Sequence, residues 1–287
     1  NKILKLISSV FIAFIATISV SKAEVKVVAS IKPIHSLVSY VMDGVGKPDV
    51  IVDGYNSPHG FSLKPSHAKM IENADLIIWV GEDLEAFLEK PLNTIAKKAV
   101  NIEIMDLSGI KKLKFREKNI FEGHDDHGHG HKEKKHDDHG HKKAKHDDHG
   151  HDKHAHGEHD PHVWLDPMNA KVIVKEIENQ LVKLDPDNSS KYKANSKKAQ
   201  SELDNLTKNI KSDLKGNLRF VVFPDAYQYF ENRFGIKVLG ALTVNPDVLP
   251  GAEQLSEIRG VIEHEKVNCL FSEPQFNPAI IKSIAKD

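Results

Sequence analysis

Beyond position 23 the chain alternates short, continuous apolar runs with stretches whose apolar residues recur at helical spacing. The runs are VKVVAS (Val25 to Ser30), DVIVD, LIIWVG (Leu76 to Gly81) and AVNIEI, and between them lie helical candidates over Ile34 to Met42, Ser66 to Asn73 and Leu84 to Asn93. Strands that are apolar throughout and separated by helices indicate a parallel sheet covered on both faces. The pattern predicts a first α/β lobe over residues 24–166. A second set opens at RFVVF (Arg219 to Phe223) and continues through KVLGALT and VNCLFS, with helices near Tyr227 to Arg233, Glu253 to Glu263 and from Pro278 onward. Only three strands are visible there, so residues 215–287 read as a second, incomplete α/β lobe.

Residues 167–214 join the two sets: Pro167 to Leu184 and Ser189 to Leu214 read as helices, broken by the turn DPDN at Asp185 to Asn188. In the second helix Tyr192, Ala199, Leu203, Leu206, Ile210 and Leu214 form one stripe, with lysines on the other faces. At about 1.5 Å per residue it makes a stiff strut between the lobes. The expected fold class is therefore α/β, two lobes of parallel sheet with flanking helices joined by a long rigid helix, the second lobe truncated. Residues 123–160 break the first lobe: histidine, aspartate, lysine and glycine without apolar periodicity cannot offset the entropy of ordering, so the segment reads as a disordered insertion.

Composition narrows the partners. A net charge of -1 over 287 residues provides no basic field for nucleic acid or an anionic membrane surface, so no nucleic acid partner is expected. The opening residues 1–23 carry Lys2 and Lys5, an apolar run from Leu6 to Val20, and small residues at Ser21 and Ala23. That is the form of a secretory signal cleaved after Ala23; the rival reading, an uncleaved anchor, meets a run short of the roughly 20 residues a span needs. The chain starts without Met and stops within IIKSIAKD, which reads as a helix, so it is expected to be a fragment at both ends. Cys269 is the only cysteine. Its strand-like setting predicts burial, the other reading being half of a disulfide.

Histidine changes the picture most. Of 18 histidines, 14 fall between His124 and His162, in repeats of HDDHGH. His124, His127, His129, His131, His136, His139, His141, His146, His149, His151, His154 and His156 form the accessory tract, interleaved with acids. Imidazole with carboxylate suits zinc, and also nickel, copper or cobalt. A tract that must be ordered by each ion it takes should bind several loosely, as a collector. Two single histidines sit in stiffer contexts. His59, in NSPHGFSLKPS, follows the strand ending at Asp53, where open α/β sheets place ligands. His162, in DPHVWLDP, is held between Pro161 and Trp164.

Taken in order from about Val25 to the end, NSPHGFSLKPS, NADLIIWVGEDLEAFL, DPHVWLDPMNA, FPDAYQYFENRFG, LTVNPDVLPGA and FSEPQFNPAIIKSIA resemble the high-affinity zinc-binding proteins of bacterial ABC importers, the ZnuA type. The resemblance implies two α/β lobes joined by a rigid helix, with a His-rich loop in the first. It implies Zn2+ held by His59 and His162 in the cleft between lobes. The family's third histidine falls at Pro224, which has no side-chain donor. His159, or a tract histidine near it, is then expected to swing in and complete the set, with Asp225 as an alternative donor or the cap of the helix near Tyr227. The resemblance also implies a disulfide between Cys269 and a cysteine nearer the family's C-terminus, and a further acidic or water ligand from that region. His35 is expected to open a helix, and His67 and His264 to be solvated.

The combined reading is a periplasmic, monomeric solute-binding component that passes Zn2+ to an inner-membrane ABC permease. No catalytic or cofactor-binding residue is expected: there is no phosphate loop, H-E-x-x-H helix or nucleophile beside a base. Glu82, Asp83 and Glu273 end strands where a site could lie, and as exposed carboxylates they are equally suited to docking. The rivals are a periplasmic zinc buffer or chaperone with a degenerate cleft, and a metal-dependent hydrolase, for which the sequence supplies no base.

Overall fold

The computed structural model describes residues 24–116, 120, 157–216, 218–243, 250–277 and 279–285. The expected signal at 1–23 and the accessory tract through His156 lie outside the described residues. The apolar runs of the first half become β1 (Val27–Ile31), β2 (Asp49–Val52), β3 (Leu76–Trp79) and β4 (Val100–Glu103), parallel in the order β2-β1-β3-β4. Every residue of β1 and β3 is buried, as a strand covered on both faces requires.

The helices between them are α1 (Lys32–Val41), α2 (Pro65–Asn73) and α3 (Glu82–Thr94). All three start earlier than their apolar spacing suggests, two of them because Pro33 and Pro65 occupy first-turn positions where proline costs no hydrogen bond. α1 turns Ile34, Val38 and Val41 into the core. His35, in its first turn, bonds the Pro48 carbonyl through Nε2 (3.1 Å).

α4 (Pro167–Leu184), capped by Asp166 onto Met168 N, packs along α5 (Ser189–Asp213). At 25 residues α5 spans about 37 Å. Its apolar stripe is covered for only part of that length: Tyr192 and Ala199 are buried and Leu203 is partly packed, but Leu206 is 47% exposed. The second lobe comprises β5 (Phe220–Phe223), β6 (Val238–Ala241) and β7 (Cys269–Ser272), parallel in the order β6-β5-β7, with α6 (Gln228–Phe234), α7 (Ala252–His264) and α8 (Ala279–Ile284). α6 ends on Gly235 at φ +68°, a left-handed cap that glycine adopts without strain. β7 lies at the sheet edge, and Cys269 is exposed rather than buried. Among the described residues no helix is long and apolar enough to cross a membrane.

α3 carries a buried polar feature. Glu85 breaks the helical backbone (φ -128°, ψ 48°) and is fully buried. Its Oε2 accepts from Val80 N (2.7 Å) and Gly81 N (3.3 Å), while Oε1 and the Ser30 hydroxyl are buried with no hydrogen-bond partner. Burial, helped by the nearby Glu103, pushes this carboxyl up to about 7 against the polar neighbours that favour its charge. A carboxyl raised in the folded state withdraws stability as pH climbs from its ordinary 4.5 to about 7, and the loss persists above that. Glu85→Gln is expected to remove the loss, leaving the variant more stable than wild type at pH 8 by roughly 3 kcal/mol and alike near pH 4. Urea unfolding at the two pH values measures the difference.

Candidate metal centre

The loop after β2 turns at Asp53, whose carbonyl accepts from Asn56 Nδ2 (2.7 Å). It then presents His59, with His59 N donating to Ser57 Oγ (3.3 Å). His162 arrives from the other side, just ahead of the 3-10 turn Val163–Leu165 that leads into α4. The two imidazole centroids lie 5.6 Å apart, and Trp164 packs against His162 with its ring tilted by 60° and the centroids 5.4 Å apart. Both line a cavity of about 410 Å³ between the lobes, with Ile31, Val52 and Trp164 on one wall and Pro224, Tyr227 and Phe276 on the other.

His162 is oriented by Asp160, whose Oδ1 accepts from the His162 backbone N–H (2.9 Å) and lies 2.7 Å from Nδ1. A carboxylate on Nδ1 fixes the proton there and leaves the Nε2 lone pair for a ligand, the arrangement common behind metal-bound histidines. Burial alone would lower the His162 pKa, but the Asp160 charge and hydrogen bond, with Glu273 and Asp225 beyond, outweigh it and raise the value. Burial in turn raises the Glu273 carboxyl, against the pull of His162, Tyr227 and Gln275.

The remaining sequence candidates fall elsewhere. Residues 157–160, read as the end of a floppy insertion, are paired: His159 bridges Lys114 in antiparallel fashion and Asp160 N donates to Leu113 O (2.9 Å). His159 is thus fixed by backbone pairing to the strap formed by residues 113–115 and does not line the cavity. Asp225 does not cap α6, which has Tyr227 at its N-cap and no side-chain cap; its Oδ1 accepts from Arg116 Nη1 (2.9 Å). Burial pushes the Asp225 carboxyl up to about 6 despite the Arg116 charge. His67, expected to be solvated, closes a capping box with Lys64 N (3.1 Å) and stacks on Phe61 at 5.4 Å. His264 is exposed and pairs with Glu265 (2.9 Å). Position 224 follows a cis Phe223-Pro224 bond beside the cavity. Among the described residues, no three His, Cys, Asp or Glu side chains are gathered closely enough to hold a metal ion.

Sequence reading missed two residues that shape the site and left a third undecided. Asp160 had a signal in the Asp-Pro-His spacing. Glu273, read either as a site carboxylate at a strand end or as a docking carboxylate, lines the cavity, and no other carboxylate among the described residues does. Arg116 joins Asp225 to Glu231, which it grips through Nη1 (3.0 Å) and Nη2 (2.8 Å). α6 completes the seam between lobes. The Tyr229 hydroxyl accepts from Leu113 N (2.9 Å) and donates to Asp160 O (2.7 Å), Gln228 reaches Asp160 Oδ2 (3.2 Å), and Arg233 grips Asp166 (2.6 Å).

Two parallel-sheet lobes, a long connecting helix and an inter-lobe cavity give the architecture of a solute-binding protein, and the family match that follows makes it a transport component and not an enzyme. Within that class the chain belongs to the ZnuA family, whose model, described as zinc-uptake complex component A, periplasmic, matches residues 27–287. The high-affinity zinc uptake system protein ZnuA of Brucella abortus (strain 2308) is 45% identical over 285 residues, covering 97% of this chain and 85% of that protein. Its counterpart in Yersinia pestis is 37% identical, covering 92% and 80%. A crystal structure of ZnuA superposes with a TM-score of 0.72 at 23% identity, over 92% of this chain and 88% of that one, which speaks for the fold.

Proposed function

We propose that the protein captures one Zn2+ in the cleft between its lobes, with His59 and His162 as ligands, and passes it to an inner-membrane ABC permease. The observation that carries this reading is the convergence of the two imidazoles, 5.6 Å apart, with Asp160 behind His162. Zinc fits this donor chemistry better than manganese, which prefers oxygen ligands, and zinc uptake is what the relatives are named for. The tract from His124 to His156 gathers ions near the cleft, and the protein works in the periplasm as a monomer after removal of residues 1–23. The long helix α5 limits hinge opening, so loading brings small movements rather than wide closure.

Because residues 157–160 are paired to the strap, the test removes residues 121–156 and leaves that pairing intact. Zinc is titrated against a competing chelator with and without the tract. One tight ion in both forms is expected, with extra weak ions only when the tract is present. Affinity should fall with pH as the imidazoles protonate, because only neutral rings bind. Several weak ions and no tight one would instead make the protein a zinc buffer whose cleft has decayed at Pro224.

A further inference from the structure

Two imidazoles leave zinc short of the three or four protein ligands its tight sites use. The donors the sequence offers in place of the histidine missing at position 224 are spoken for. Pro224 has none, Asp225 turns into Arg116, and His159 is tied by its backbone to Lys114 outside the cavity. We infer that Glu273 supplies the third protein ligand, its carboxylate replacing a donor side chain that Pro224 cannot offer. This rests on the zinc reading above.

The sheet places it there. β5 and β7 pair with Phe223 opposite Ser272, so the residues that follow, Pro224 and Glu273, leave the strand ends side by side. Glu273 N donates to Phe223 O (3.3 Å), fixing the backbone beside that position. The side chain faces the same cavity as His59 and His162, and its charge acts on His162. Gln275 Nε2 donates to Glu273 Oε2, and Tyr227 also engages the carboxylate, as outer partners do for ligating carboxylates. Lys32 is the one Lys or Arg lining this cavity among the described residues, and its amine is occupied by Gly54 O (2.7 Å). Two neutral imidazoles and one carboxylate are a known zinc donor set, reached at Zn–O distances of about 2.0–2.2 Å. The three side chains stand too far apart in this structure to share one ion, so the inference includes their approach when the metal arrives.

The test uses the full chain carrying Cys269→Ser, which removes the exposed thiol, as the reference. Glu273→Gln, Glu273→Cys, His59→Ala and His162→Ala are made in it, with thermal melts to confirm folding. Glu273→Gln should weaken zinc in the chelator competition by at least about 10–100-fold, no less than loss of an outer-shell partner. Glu273→Cys loaded with Co2+ should gain a thiolate-to-metal charge-transfer band in the near ultraviolet, which only direct ligation produces. Wild-type affinity in Glu273→Gln overturns the assignment while weakened His59→Ala and His162→Ala leave the zinc reading standing. If those two alanine variants bind as tightly as the reference, the cleft reading itself fails.

Discussion

His162→Ala is expected to abolish tight zinc binding, and Asp160→Asn to weaken it by about 10–100-fold with the fold intact. The two effects differ because the two residues act differently. The alanine removes the lone pair that would meet the ion. The asparagine keeps shape and volume but takes away the carboxylate 2.7 Å from Nδ1, and with it the charge that fixes the tautomer and enriches Nε2 as a donor. Chelator competition measures both variants, and Trp164, packed 5.4 Å from the ring, provides a fluorescence readout at the site. Equal losses in the two variants would mean that Asp160 holds the local backbone rather than the imidazole, since its Oδ1 also accepts from His162 N (2.9 Å).

Arg116→Ala is expected to cost about 3–5 kcal/mol of stability, the usual result of stripping the partner from buried charge. Asp225 and Glu231 both have side chains 7% exposed and both depend on this guanidinium. Glu231 also accepts from Val238 N (3.1 Å), so the loss extends from the seam into the start of β6. Arg116→Lys should recover only part, because an ammonium cannot bridge two carboxylates with a planar fork. The pH dependence has a definite sign. With Arg116 gone, the Asp225 carboxyl rises above its present value of about 6, so protonation relieves the orphaned charge as pH falls. The deficit against wild type is therefore greatest at alkaline pH and shrinks through neutrality, which thermal melts at several pH values would show.

How much of this was legible depended on how local the physics is. LIIW and VVASI announced buried parallel strands because a strand covered on both faces is apolar nearly throughout, Ser30 being the one exception. The helix over Pro167 to Leu184 had its signals within a few residues, an Asp cap followed by proline. The two cleft histidines stood out through stiff neighbours and strand ends, and the cavity does bring them together. What stayed hidden is set by pairing across the chain. Asp225 looked like a cap because its partner Arg116 lies 109 residues away. Glu273 could be placed beside Pro224 only once β7 was known to pair with β5. Cys269 and Leu206 were misjudged for the opposite reason: an apolar setting in sequence says nothing about whether a neighbouring element arrives to cover it.

Asp160 ties two parts of the molecule together. Its Oδ1 holds the cleft imidazole, its Oδ2 takes Gln228 of α6, and its carbonyl takes the Tyr229 hydroxyl. Seat and seam thus share one residue, which works as a mechanical fuse. A pull that separates α6 from the first lobe bears directly on Asp160, and with it on the aim of the ring that Asp160 steadies. Grip on the ion and grip between the lobes loosen together.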